Sequence, residues 1–156
     1  MNEIVNISEE TLVVAGITAL QKKFKHPLEI SCKYSRSVDS YQGYWRIKLE
    51  EHDPEKVHRW KGQFLLQQLP GCCGVCVYHD MIVDVTAKNR GVATFFTQLA
   101  ERLAWEWGYT TIIATDRKDN EWTKRIFTKR KWEESFEFIN RRTDNDVIVW
   151  IKDLRK

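Results

Sequence analysis

A chain of 156 residues with seven Trp, seven Phe and five Tyr carries enough apolar material for one folded domain, 1–156, and too many aromatics for disorder. Its 25 basic and 22 acidic residues leave a net charge of +3, a mixed surface that does not by itself predict nucleic-acid binding. No apolar run reaches membrane-spanning length, and the opening Met-Asn-Glu-Ile-Val-Asn-Ile lacks the basic region and cleavage site of a secretory signal, so a cytoplasmic protein with no membrane partner is expected.

Taken in order, residues 3–7 predict a short strand, and Ser8 with Glu9 and Glu10 predicts a helix start. Leu12, Val13, Ile17, Leu20 and Phe24 carry a helical stripe to about residue 25, where Pro27 stops it. Alternation over 28–34 and again over 44–49, with a polar connection between, predicts a hairpin. Asp53 and Pro54 have the form of a cap and first turn, and Val57, Trp60, Phe64 and Leu65 share one helical face, so a helix is predicted over 53–69 despite Gly62. The next stretch fits either two strands, 72–78 and 81–85, turned at His79 and Asp80, or one long strand with a bulge. Val92, Phe95, Phe96, Leu99, Leu103 and Trp107 then form an apolar helical stripe closed by Gly108. A β-branched strand follows over 109–115, and strand, loop, helix and strand make one parallel βαβ crossover. Asp119 is the predicted cap of a helix over 120–130, and strands over 133–139 and 147–154 close the chain.

Cys32, Cys72, Cys73 and Cys76 read as small packing residues of a reducing compartment. Cys73, Cys76 and His79 have a spacing that a metal could use, but no second Cys/His pair completes a structural zinc site, so no metal is predicted.

The loop between residues 86 and 91 is the best candidate for function. A Gly that opens a helix after a strand makes an anion cradle: the first helical N–H groups are unpaired and the helix dipole adds partial positive charge. Gly91 removes the side chain at the point of closest approach, and Lys88 and Arg90 supply charge suited to a phosphate.

Two stretches together resemble the GNAT-type N-acetyltransferases. Lys88-Asn89-Arg90-Gly91-Val92-Ala93 is similar to that family's acetyl-CoA signature, Gln/Arg-x-x-Gly-x-Gly/Ala, with Lys88 in its first position. Asn120-Glu-Trp-Thr-Lys-Arg-Ile126-Phe127-Thr-Lys-Arg-Lys131-Trp132 is similar in spacing to the family's later Asn-x-x-Ala-x-x-Leu-Tyr-x-Lys-x-Gly-Phe. The resemblance covers residues 72–139. It implies an α/β (α+β) fold with a mixed, twisted sheet of six to seven strands, flanked by helices and splayed open at the central crossover, with acetyl-CoA as co-substrate in the opening. The pyrophosphate would then lie on the amides of Arg90, Gly91, Val92, Ala93 and Thr94, beside Lys88 and Asn89. The pantetheine would pair with Val83 and Val85, and Asn120 and Phe127 would flank the thiol. The implied reaction is direct acetyl transfer, in a ternary complex, to the amine of a small-molecule or macromolecular acceptor. Three departures stand out: Phe127 replaces the Tyr that often serves as general acid, Lys131 replaces Gly, and the predicted helix over 53–69 is additional.

Such a reaction needs a base. Asp84, read as a strand residue facing away from Val83 and Val85, and Asp116, at the C-terminal end of the following strand, are the candidates, with His79 and Asp80 nearby. The basic helix from Lys118 to Lys131, interleaved with Trp122, Phe127 and Trp132, also fits nucleic-acid binding through phosphate contacts and base stacking. A catalytically silent CoA-binding protein is the third reading. The tryptophan supply would suit a homodimer.

Overall fold

Alternating apolar residues in the first half of the chain build an antiparallel meander, and the rest of the fold is laid against it. The computed structural model describes residues 4–5, 11–36, 43–55 and 59–156. The predicted cap at Ser8, most of the 35–43 connection and Val57 lie outside them. Strand β1 (Ile4–Val5) precedes helix α1 (Thr11–Gln21), and then β2 (Leu28–Arg36), β3 (Gly43–Glu51), β4 (Trp60–Gln68) and β5 (Val75–Val83) follow one another antiparallel. Helix α2 (Val92–Glu106) crosses to β6 (Thr111–Arg117), which is parallel to β5. Helix α3 (Glu121–Lys129) leads to β7 (Glu133–Asn140) and β8 (Asn145–Asp153), with β8 inserted antiparallel between β6 and β7. Among the described residues the sheet has eight strands in the order β1-β2-β3-β4-β5-β6-β8-β7.

From Trp60 onward the stretch predicted as a helix over 53–69 is a strand: Trp60–Gln68 pairs with β3 on one side and β5 on the other. Helical spacing was mimicked by a bulge. Leu49 faces Gly62 and Glu50 faces Trp60, leaving Lys61 as an extra residue that breaks the period of two. Gly62 serves close packing here, because a Cβ there would lie 2.7 Å from the Ile82 carbonyl oxygen and 2.9 Å from the Phe96 ring. The open choice over 72–85 resolves to one strand, also with a bulge: Gln63 faces Ile82 and Leu65 faces His79, so Phe64 alone stands opposite both Asp80 and Met81. Asp80 takes φ +49 to make that possible.

Helices α1 and α2 and the inward strand residues share one core. Phe64, Phe96, Leu66, Ile47, Leu103 and Ile112 are fully buried, and the rings of Phe64 and Phe96 meet at 5.1 Å. Both later helices end in the same double hydrogen bond. After α2, Gly108 N–H donates to Trp105 and Tyr109 N–H to Ala104. After α3, Lys131 N–H donates to Thr128 and Trp132 N–H to Phe127. This closure needs a left-handed residue. Gly108 supplies it at φ +89, whereas Lys131 is held at φ +62 where the GNAT pattern has Gly.

Glu101 ties three elements together from α2. Its buried carboxylate accepts from Arg130 Nε, Trp132 Nε1 and Lys152 Nζ, each at 2.8 Å. Burial alone would raise its pKa, but the bonds from Arg130, Lys152 and Trp132 outweigh burial and hold it below the usual glutamate value. At the far end of the sheet β7 is exposed along most of its length, including Phe136, Phe138 and Ile139, and carries a bulge between Glu134 and Glu137.

Replacing Lys131 by Gly relieves the left-handed strain and should raise the unfolding free energy by about 0.5–1 kcal/mol, measured by denaturant titration. Glu101→Gln should cost about 3 kcal/mol at neutral pH, because it weakens a buried charge network from one side. A carboxylate held below its unfolded pKa stabilises the fold above that value and loses the contribution as pH falls through the folded one. The gap between wild type and Glu101→Gln should therefore shrink on acidification.

Candidate active site

The cleft begins where β5 and β6 part. Their parallel pairing runs from Val75–Thr111 to Tyr78–Ala114 and goes no further. Beyond it the bulge at Asp80 bends β5, and among the described residues no strand pairs with the β6 side of His79–Val83. A cavity of about 200 Å³ fills the gap, lined by Tyr78, His79, Asp80, Met81, Ala114, Thr115, Asp116, Asn120, Trp122, Thr123 and Phe127. A second, of about 230 Å³, adjoins it across Trp122 and is lined by Val83, Ala87, Asn89, Gly91, Val92, Ala93, Thr94 and Ile126. Together they make a trough from the start of α2 to the end of β6.

At the α2 end the backbone forms the cradle. Asn89 at φ +60 and Gly91 at φ +84 flank Arg90, an alternation that turns successive N–H groups toward one side. Gly91 caps α2 without a side-chain acceptor, and the first intrahelical bond to it comes from Phe95 N–H, so the amides of Val92, Ala93 and Thr94 have no partner within the helix. Lys88 is exposed. Arg90, read from sequence as a phosphate ligand, instead donates to the Lys23 carbonyl at 3.0 Å and lies 4.8 Å over the Phe24 ring, locking the loop to the segment after α1. Lys23 is the cation that sequence reasoning missed: a Cβ built on Gly91 would lie 3.3 Å from its Nζ. Nothing local to Lys23 marks it, since 67 positions separate it from Arg90.

Val83 ends β5 and lines the trough. Val85 does not continue the strand; it opens a 3-10 turn over Val85–Ala87 and is 74% exposed. The strand stops because Asp84, at its end rather than within it, turns back as a cap, its carboxylate accepting from the N–H and hydroxyl of Thr86. That engagement makes Asp84 a structural carboxylate of the loop.

Asp116 is placed differently. Its Oδ1 accepts from Arg117 N–H at 2.8 Å and from Asn120 Nδ2 at 3.3 Å, which leaves Oδ2 buried without a hydrogen-bond partner on the cleft wall. His79 Nε2, on the same wall, is likewise buried and unpartnered, while Nδ1 lies 3.6 Å from Asp80. Buried polar atoms without partners are uncommon in folded proteins. Two of them line one cavity. Asn120, rather than the predicted Asp119, caps α3: its Oδ1 accepts from Thr123 N–H while its Nδ2 bonds Thr123 Oγ1 at 2.8 Å. Asp119 pairs instead with Arg117.

Phe127 lines the cleft from beneath, packed 4.6 Å from Trp132 and 5.4 Å from Trp150. Tyr78, the tyrosine of the cleft wall, does not stand in for the missing hydroxyl: its own is buried and lies 3.4 Å from Thr97, and burial pushes its pKa well up. Of the aromatics offered for base stacking, Phe127 and Trp132 are buried and only Trp122 is exposed. Lys118 pairs with Glu137, and Arg130 with Glu101. Of the three aromatics in the basic stretch, Trp122 is the one that reaches the surface. Cys72 and Cys73 are exposed in the turn before β5, whereas Cys76 is buried in it with its thiol pushed up to about 12 by desolvation. Among the described residues no helix is long and apolar enough to cross a membrane.

No family model matches the chain, and no curated protein matches it. Solved structures share its architecture. A protein of Desulfovibrio desulfuricans assigned to the GNAT family of acetyltransferases superposes with TM-score 0.61 at 13% identity, covering 71% of this chain and 69% of its own. The ribosomal-protein-S18-alanine N-acetyltransferase of Escherichia coli superposes with TM-score 0.61 at 12% identity over 99% of this chain and 94% of its own. A Salmonella typhimurium protein assigned as an acetyltransferase, solved with its cofactor acetyl-CoA, gives 0.59 at 12% identity, with 71% and 65% covered. The likeness is one of fold, and the fold is that of the GNAT acetyltransferases.

Asn120→Ala removes a cap and the donor that orients Asp116 together. It should lower stability by about 1 kcal/mol, measured by denaturant titration, with the loss of order by hydrogen exchange confined to the first turn of α3.

Proposed function

We propose that the chain is an acyltransferase that moves the acetyl group of acetyl-CoA to an amine by direct attack within a ternary complex. The observation that carries this reading is the trough itself, with unpaired helix amides at one end and the buried Oδ2 of Asp116 at the other. The pyrophosphate fits the amides of Val92 to Thr94, where negative charge meets the positive end of α2 and Gly91 adds no side chain of its own. Pantetheine amides find main-chain partners along the free side of β5 near Val83, and the thioester then reaches the walls formed by His79, Asp116 and Phe127.

The reacting amine must be neutral. Asp116 Oδ2 is the atom suited to take its proton, because the neighbouring oxygen is already held by Arg117 and Asn120. As nitrogen bonds to the carbonyl carbon, charge gathers on the oxygen, and a backbone N–H on the open side of β5 can stabilise it. The carbon–sulfur bond then breaks and CoA leaves as thiolate. With Phe127 at the position of the family's acid and Tyr78 bonded to Thr97, the tyrosine of the described cleft wall does not assist, and solvent protonates the thiolate. The Asp80 and Asp116 carboxylates line the acceptor end, so cationic amines suit it better than acidic ones. A small polyamine and a protein amine both remain acceptors of this kind.

Calorimetry should detect acetyl-CoA binding to wild-type protein, and Gly91→Glu should abolish it by placing a charged side chain in the cradle at positive φ. Asp116→Asn should keep that affinity and lower kcat for a cationic amine by about 100-fold or more, followed by thiol release. Wild-type protein that ignores millimolar acetyl-CoA would remove the proposal.

A further inference from the structure

Lys61 is buried, 4% exposed, in a protein whose other lysines mostly reach solvent. It is the extra residue of the β4 bulge, and the bulge turns its side chain inward beside buried Gly62. There its ammonium donates to Thr86 Oγ1 at 3.0 Å and pairs with Glu51 Oε2 at 3.2 Å. Its main chain holds the same loop, with Asp84 N–H donating to the Lys61 carbonyl at 2.9 Å. Thr86 in turn donates to the Asp84 carboxylate through both N–H and hydroxyl. On the other side Glu51 Oε1 accepts from His26 N–H at 3.2 Å, and His26 Nε2 lies 3.4 Å from Asp53. His26 belongs to the segment whose Lys23 and Phe24 hold Arg90. The loop entering α2 is thus fixed at its first residues by Lys61 and at its last by Lys23 and Phe24, and the two anchors join through Glu51.

We propose that Lys61 is a positioning residue of the phosphate cradle: through Thr86 and Asp84 it sets the path of the loop that presents the α2 amides. The inference rests on the acetyl-CoA reading of that cradle. A role confined to stability accounts for it poorly, because a buried ion pair adds little over apolar residues of the same shape, whereas a donor spanning β3, β4 and the loop fixes their relative register.

The test compares acetyl-CoA with S-acetylpantetheine, which has the thioester and arm but no pyrophosphate, by calorimetry at up to millimolar ligand. Lys61→Met should weaken acetyl-CoA about tenfold and leave S-acetylpantetheine unchanged. Thr86→Val, at an exposed position, should act in the same direction, and the two together should weaken binding no more than Lys61→Met alone. If Lys61→Met does not fold, Glu51→Gln with Lys61→Met removes both charges, and Thr86→Val carries the comparison by itself. Unchanged acetyl-CoA affinity in these variants overturns the inference. Equal loss for both ligands also overturns it, since it reports general damage rather than a misplaced cradle. Wild-type protein that binds neither ligand overturns the functional reading, and is told apart because it fails before any substitution is made.

Discussion

The parting of β5 from β6 is the constraint on which the site depends. Parallel strands in the middle of a sheet ordinarily continue until their hydrogen-bonding groups are spent. Here they stop at Tyr78 and Ala114 because the extra residue at Asp80 bends β5 out of register. A bulge next to the functional end of a sheet re-aims side chains and frees main-chain groups at once. It turns His79 onto the cleft wall and leaves one side of the strand available to a ligand. Neighbouring elements then shape what was opened: α2 brings its amides to one end and α3 brings Asn120 to the other, where it steers Asp116.

The trough is electrically polarised along its length. Backbone N–H groups and Lys23 make the α2 end attractive to anions, and Asp80 and Asp116 make the β6 end attractive to cations. In the function proposed above, a donor carrying phosphates and an acceptor carrying an ammonium enter from opposite ends and meet in the middle. Side chains that look available for such work are already engaged. Arg90 is a strut to the segment after α1, Asp84 a cap, and Tyr78 a buried partner of Thr97. The proposed function therefore draws on groups whose bonding the fold leaves incomplete.

How much of this was legible depended on how local the cause was. The α2 and α3 stripes, the glycine at 108 and the loop at 86–91 carry their instructions within a few residues, and all read correctly as elements. Strand β4 misreads as a helix because a bulge at Lys61 spoils the alternation within it, as one at Asp80 does within β5, and because Asp53-Pro54 has the form of a helix start. Both bulges are set by neighbours ten or more residues away, which periodicity does not register. Val85 was assigned to the strand for its apolar character, whereas the chain turns one residue earlier to satisfy the Asp84 carboxylate. The carboxylates at 84 and 116 looked equivalent in sequence. Their difference lies in which hydrogen bonds each already has.

Strand β7 ends the sheet among the described residues with Phe136, Phe138 and Ile139 open to solvent, a pattern that invites stacking of one chain on the next. Glutamates at 133, 134 and 137 punctuate that apolar run, and the irregularity between Glu134 and Glu137 spoils the flat ladder that a fibril would copy. The same strand that leaves aromatic surface uncovered thus carries its own gatekeepers, charged residues set into the run that a neighbouring strand would otherwise copy.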